Sequence, residues 1–140
     1  MPARNATLAP AAKPVDEKIT INVGCVDLGQ IDLLVQESFY ANRSDFIRTA
    51  IRNQLQTHAE VVRQTVLRKS IALGLRHYTR ADLEAAVAAG ERLQIHVLGL
   101  ASIAPDVSAE LAAAAIDSVL VLGTFQASAE VKAALADRLA

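Results

Sequence analysis

The chain has no tryptophan, and its only other aromatics are three Phe and two Tyr. A ligand pocket walled by rings is therefore not expected. The core has to come from Ala, Val, Leu and Ile, which suits helices and closely stacked layers. The one cysteine, Cys25, excludes an intrachain disulfide and a cysteine-based metal site, and fits a reducing compartment. No apolar run approaches the ~20 residues that cross a bilayer. Residues 1–14 lack the apolar block of a signal peptide, so a cytoplasmic protein with no membrane partner is expected. A basic excess is missing as well: the formal net charge is −1. Phosphate neutralisation supplies most non-specific affinity for nucleic acids, so any such contact must come from locally placed cations. His58, His77 and His96 show no metal-ligand spacing. Gly90, Gly99 and Gly123 stand apart, unlike a phosphate-binding loop. Cys25, beside Asp27, has no evident activation as a nucleophile. No catalytic site, metal or cofactor is expected.

A length of 140 residues suits one ordinary domain or two small ones. Small units bury little surface, so they would need to dimerise or pack on each other. Residues 1–15, broken at Pro10 and Pro14, read as a flexible arm in which Arg4 and Lys13 could touch phosphates. Residues 18–23 alternate strictly: Ile19, Ile21 and Val23 on one face, Lys18, Thr20 and Asn22 on the other. Period two with β-branched residues marks a half-buried strand, ended by Gly24. Asp27 is expected to cap a helix starting near Leu28, with Ile31, Leu34, Val35 and Phe39 on its apolar stripe. Asn42 then caps a second helix, paired with Asp45 in a capping-box-like arrangement. Its stripe holds Phe46, Ile47, Ala50, Ile51 and Leu55. Neither Gly nor Pro occurs from Asn42 to Leu73, so this helix is expected to run unbroken to about Arg68.

Beyond residue 68 a shift of 24 gives three copies: 69–92, 93–116 and 117–140. Ile71, Ile95 and Val119 align, as do Leu73, Val97 and Val121, and later Leu83, Val107 and Val131. The glycine of the first copy stands one position out of register. Each copy reads as strand, turn and short helix, with helix starts at Thr79, at Pro105 as a first helical residue, and at Ser128. Such a period implies a stacked, solenoid-like unit: a short parallel sheet with helices on one side. The long helix would cap its first copy, and the strand around Val119 and Val121 would form an open edge.

The order strand, helix, turn, helix in residues 16–60 resembles the ribbon-helix-helix family, in particular its CopG-like branch. The most specific stretch is residues 42–52, Asn-Arg-Ser-Asp-Phe-Ile-Arg-Thr-Ala-Ile-Arg. The resemblance implies an obligate dimer in which two strands pair antiparallel into a ribbon that reads the DNA major groove. It implies base contacts from Lys18, Thr20 and Asn22. It also implies phosphate contacts at the start of the second helix, at Asn42, Arg43 and Ser44. Ile19, Ile21, Val23, Leu34, Phe46, Ile47 and Ile51 would form the dimer core. The family often carries an arginine on the ribbon; here Lys18 is the one charged reader, beside Asp16 and Glu17.

The expected fold class is thus α+β: a ribbon-helix-helix module at 16–60, a helical connector at 61–68, and three strand-turn-helix units at 69–140. The expected function is sequence-specific binding of double-stranded DNA by a homodimeric transcriptional regulator, a repressor. The second half would serve higher assembly or a protein partner. Two alternatives stay open: an antitoxin, and an assembly protein that uses the module only to dimerise.

Overall fold

The computed structural model describes residues 16–140. The arm expected at 1–15, with Arg4 and Lys13, lies outside the described residues. Helices and strands are both present, in the order α1 Cys25–Gln36, α2 Arg43–Thr57, α3 Ala59–Arg68, β1 Ala72–Tyr78, α4 Arg80–Ala88, β2 Leu93–Ile103, α5 Ala109–Ala115, β3 Ile116–Gln126 and α6 Ala129–Ala134. A 3₁₀ turn, Ala136–Arg138, follows.

Helix α1 starts at Cys25 rather than near Leu28, and its N-cap is Gly24, with no side-chain cap. Asp27 instead sits in the first turn, where a negative charge suits the positive end of the helix dipole. The helix closes with Ser38 in the left-handed region, φ 68°. Phe39 N bonds to Leu34 O at 2.9 Å and Ser38 N to Val35 O at 3.0 Å, the two bonds of a Schellman closure. Phe39 therefore leaves the stripe expected for it and stands exposed.

Helix α2 does not run on to Arg68. His58 breaks it at φ −103°, ψ 11°, and α3 begins at Ala59. The break needs neither Gly nor Pro. His58 N turns to Leu55 O at 3.0 Å, an i→i−3 bond that tightens the last turn. The Thr57 hydroxyl also donates to Asn53 O at 3.1 Å, a side-chain bond that tends to bend helices.

The three strands form one parallel sheet in sequence order, β1-β2-β3. Helices α4, α5 and α6 fill one face. Ile95, Val97, Ala101 and Ile103 of β2 and Ile116 and Val119 of β3 are buried there against Leu83, Ala112, Ala115, Val131 and Leu135. The opposite face carries Leu73, Leu75, Leu98, Leu100 and Leu122, of which Leu73 and Leu75 are the most exposed.

Three expectations for this half need correction. Leu73 does not align with Val97: Ala72 does, and Gly74, Gly99 and Gly123 stand in one row across the sheet. The first strand is thus offset by one residue from the 24-residue shift. Sterics explain why the glycines set the register. All three have positive φ (116°, 134° and 120°), and a Cβ on Gly99 or Gly123 would collide with the carbonyl oxygen of the glycine before it in the row. Pro105, in turn, starts no helix. It lies in a turn, and α5 begins after Ser108, whose hydroxyl accepts from Leu111 N. Strand β2 runs on to Ile103, and buried Val107 plugs the turn, which delays the helix. The edge at β3 is also covered in part, because Ala140 N donates to Val119 O at 2.9 Å.

Candidate nucleic-acid interface

Residues 16–24 belong to no helix or strand of the single chain. A strand needs a neighbour to satisfy its backbone groups, and this segment has none among the described residues. Lys18, Thr20 and Asn22 are exposed there, and so are Ile19 (82%), Ile21 (68%) and Val23 (40%). The alternation is thus present, with its apolar half bare. One side-chain contact ties the segment down: Thr124 Oγ1 donates to Glu17 Oε1 at 3.0 Å.

The start of α2 is built as its sequence suggests. Asn42 Oδ1 accepts from Asp45 N at 2.8 Å, and the Asp45 carboxylate accepts from Ala41 N at 2.9 Å. The return bond thus reaches one residue further back than in the standard capping box, where it would go to the cap's own N–H. Phe46 N bonds to Asn42 O. The first-turn amides of Arg43 and Ser44 have no acceptor within the helix, so they can face an anion. Tyr40 packs edge-on to Phe46, ring centroids 5.0 Å apart at 86°, and fixes the chain's entry into the helix. Sequence reasoning missed this pair, although the aromatic spacing resembles a hydrophobic staple.

Arg43 itself is engaged. Its guanidinium forms a two-pronged ion pair with Asp32 of α1. The hydrogen bond from Arg43, and then its charge, hold the Asp32 carboxyl below the usual carboxylate range. No sequence signal marks this pair, since residues eleven apart share no helix face and meet only when α1 folds against α2. Ser44 is exposed. Of the residues expected in the dimer core, Leu34 and Phe46 are half-buried between α1 and α2, while Ile47 and Ile51 stay exposed. The fold therefore gathers Asn42, Arg43 and Ser44 at one helix start and leaves Lys18, Thr20 and Asn22 on a separate segment. Among the described residues no three His, Cys, Asp or Glu side chains group as a metal site, and no helix is long and apolar enough to cross a membrane.

No curated protein and no solved structure matches the chain. A family model does, over residues 14–132: that of the Ribbon-Helix-Helix transcriptional regulator family. The match runs well past residue 60, so the sheet and most of its helices fall within the family's own pattern, beyond the module that carried the resemblance. With the bare alternating segment, the capped turn into α2 and a match over most of its length, the chain belongs to the ribbon-helix-helix transcriptional regulator family.

Proposed function

We propose that the protein is a cytoplasmic, non-enzymatic repressor that binds specific double-stranded DNA as a homodimer. Two copies of residues 18–23 pair antiparallel, and the ribbon enters the major groove, which admits a two-stranded ribbon. Lys18, Thr20 and Asn22 from each chain meet base edges. The amides of Arg43 and Ser44, with the Asn42 cap, receive a phosphate at the positive end of α2. Ile19, Ile21, Val23, Leu34, Phe46, Ile47 and Ile51 close the dimer core, and residues 69–140 serve assembly. The observation that carries this proposal is the bare alternation at 18–23, with apolar Ile19 and Ile21 in water until a second strand covers them.

A second possibility has two observations in its favour. Arg43 is already paired with Asp32, and the net charge is −1, as suits a module kept only for dimerisation. An antitoxin fits less well, because antitoxin tails are typically disordered until bound, whereas residues 72–135 carry a sheet with a buried core.

Fluorescence anisotropy decides between repressor and dimerisation module. Labelled DNA from upstream of the protein's own gene is compared with a scrambled duplex across a salt series. Each base contact is worth roughly 1–3 kcal/mol, so Lys18→Ala with Asn22→Ala lowers affinity for the upstream DNA at least ~tenfold. Equal, weak binding to both duplexes, and to fragmented genomic DNA, would instead favour the dimerisation role.

A further inference from the structure

We infer that the leucine-lined outer face of the sheet is covered by the second copy within the same dimer, as an extension of the interface on α2; this rests on the dimeric reading proposed above.

Parallel sheets are almost always covered on both faces. Here α4, α5 and α6 cover one. On the other, Leu73, Leu98 and Leu122 stand side by side across all three strands, with Leu75 beside Leu100 in the next outward row. Leu73 and Leu75 are each 63% exposed, and Leu122 is 49% exposed. Contiguous exposure of this kind marks an interaction surface rather than scattered surface leucines.

The composition of the face selects the occupant. Its strand positions carry no Asp, Glu, Lys or Arg. The two histidines there are bonded within the sheet: His77 Nδ1 to Ser102 Oγ at 2.7 Å, and His96 Nε2 to Ser118 Oγ at 3.0 Å. A two-fold interface sets a patch against itself. The charges that reach its rim from residues 16–24, Glu17 bonded to Thr124 at 3.0 Å and Lys18 beside it, are of opposite sign, so the face meets its own image without net repulsion.

Continuity selects the same dimer. Ile47, Ile51 and Leu55 recur every four residues along α2, all exposed. The stripe continues past His58 to Val62 and Val66, which with Leu73 and Leu98 line an open apolar groove of about 500 Å³. A copy seated on Ile47 and Ile51 therefore has an unbroken apolar path to the sheet. Ribbon pairing also holds the second face nearby, which raises its effective concentration without any new contact.

The chain has no tryptophan, so Leu122→Trp supplies a single emitter on this face. Acrylamide quenching and sedimentation are followed together on dilution of the full chain. The expected result is an indole shielded several-fold in the dimer and open in the monomer. In parallel, Leu122→Glu, with its circular dichroism unchanged, raises the dimer dissociation constant at least tenfold. An indole equally open in dimer and monomer overturns the inference and leaves the dimer standing. Shielding in the monomer, shielding only in species larger than a dimer, or an unaltered constant for Leu122→Glu would each overturn it too. A wild-type chain that stays monomeric at all concentrations overturns the dimer itself, and the inference with it.

Discussion

Arg43 donates from Nε to Asp32 Oδ1 at 2.7 Å and from Nη2 to Asp32 Oδ2 at 2.8 Å. This two-pronged geometry bolts α1 to the first turn of α2 and is the stronger form of carboxylate pairing. It also places a cation, paired with an exposed carboxylate, at the helix start where a DNA phosphate is proposed. Asp32→Asn should release that charge. The expected outcome is tighter DNA binding at low salt and a plot of log affinity against log salt steeper by about one per chain. An unchanged slope would mean that Arg43 meets no phosphate.

Acid should weaken the fold in a defined range. Asp32, Glu60 and Asp82 all titrate below the usual carboxylate range, chiefly through hydrogen bonds from Arg43, from Arg63 and from Thr79 respectively. A carboxyl that ionises more readily folded than unfolded stabilises the fold above its unfolded value, roughly pH 4. That contribution fades as pH falls through the lower folded value. The urea midpoint should therefore hold steady from neutral pH to about pH 5 and decline below about pH 4. All three groups are solvent-exposed, so the decline is modest. Asp82→Asn keeps an acceptor for Thr79 N without the titration, and its decline should be shallower.

The features legible in the sequence were those set by neighbouring residues. Asn42 and Asp45, or Thr79 and Asp82, are three residues apart and make their cap bonds within one turn. The alternation from Lys18 to Val23 shows in the order of six neighbouring residues. The features that stayed hidden depend on the backbone or on distant partners. Ser38 and Ser70 end helices in a conformation usually given to glycine, so α1 and α3 carry no conventional stop signal. His58 breaks a helix with no breaker residue. Pro105 looks like a helix start, but β2 runs on to Ile103 and the helix begins only after Ser108. The Asp32–Arg43 pair exists only once two helices have met.

The glycine row gives an internal comparison. Gly74→Ala meets only the backbone cost of φ 116°, since nothing lies near the added methyl. Strain of this kind costs about 1–3 kcal/mol. Gly99→Ala bears a similar cost and also drives its methyl into the carbonyl of Gly74. Denaturant midpoints should rank wild type above Gly74→Ala, with Gly99→Ala clearly the lowest. Equal losses would show that the contact between strands is relaxed at little cost.

Ser70, at φ 53°, closes α3 through the bond from Ile71 N to Val66 O. Glycine reaches that region without the Cβ penalty. Ser70→Gly should raise thermal stability slightly, a change on the order of 1 kcal/mol or less. A lowered melting temperature would mean that the greater freedom of glycine in the unfolded chain outweighs the relief.

The sequential order β1-β2-β3 means that each strand finds its neighbour within the next stretch of the same chain. That search is unimolecular and as fast at low copy number as at high. The proposed ribbon pairing, in contrast, would be second order and await an encounter between two chains. A newly made protein would therefore carry a finished sheet and an unfinished DNA reader. On the proposed dimeric reading, its capacity to bind DNA would grow roughly with the square of its concentration while most of it is monomeric, so the protein would gauge its own abundance before acting.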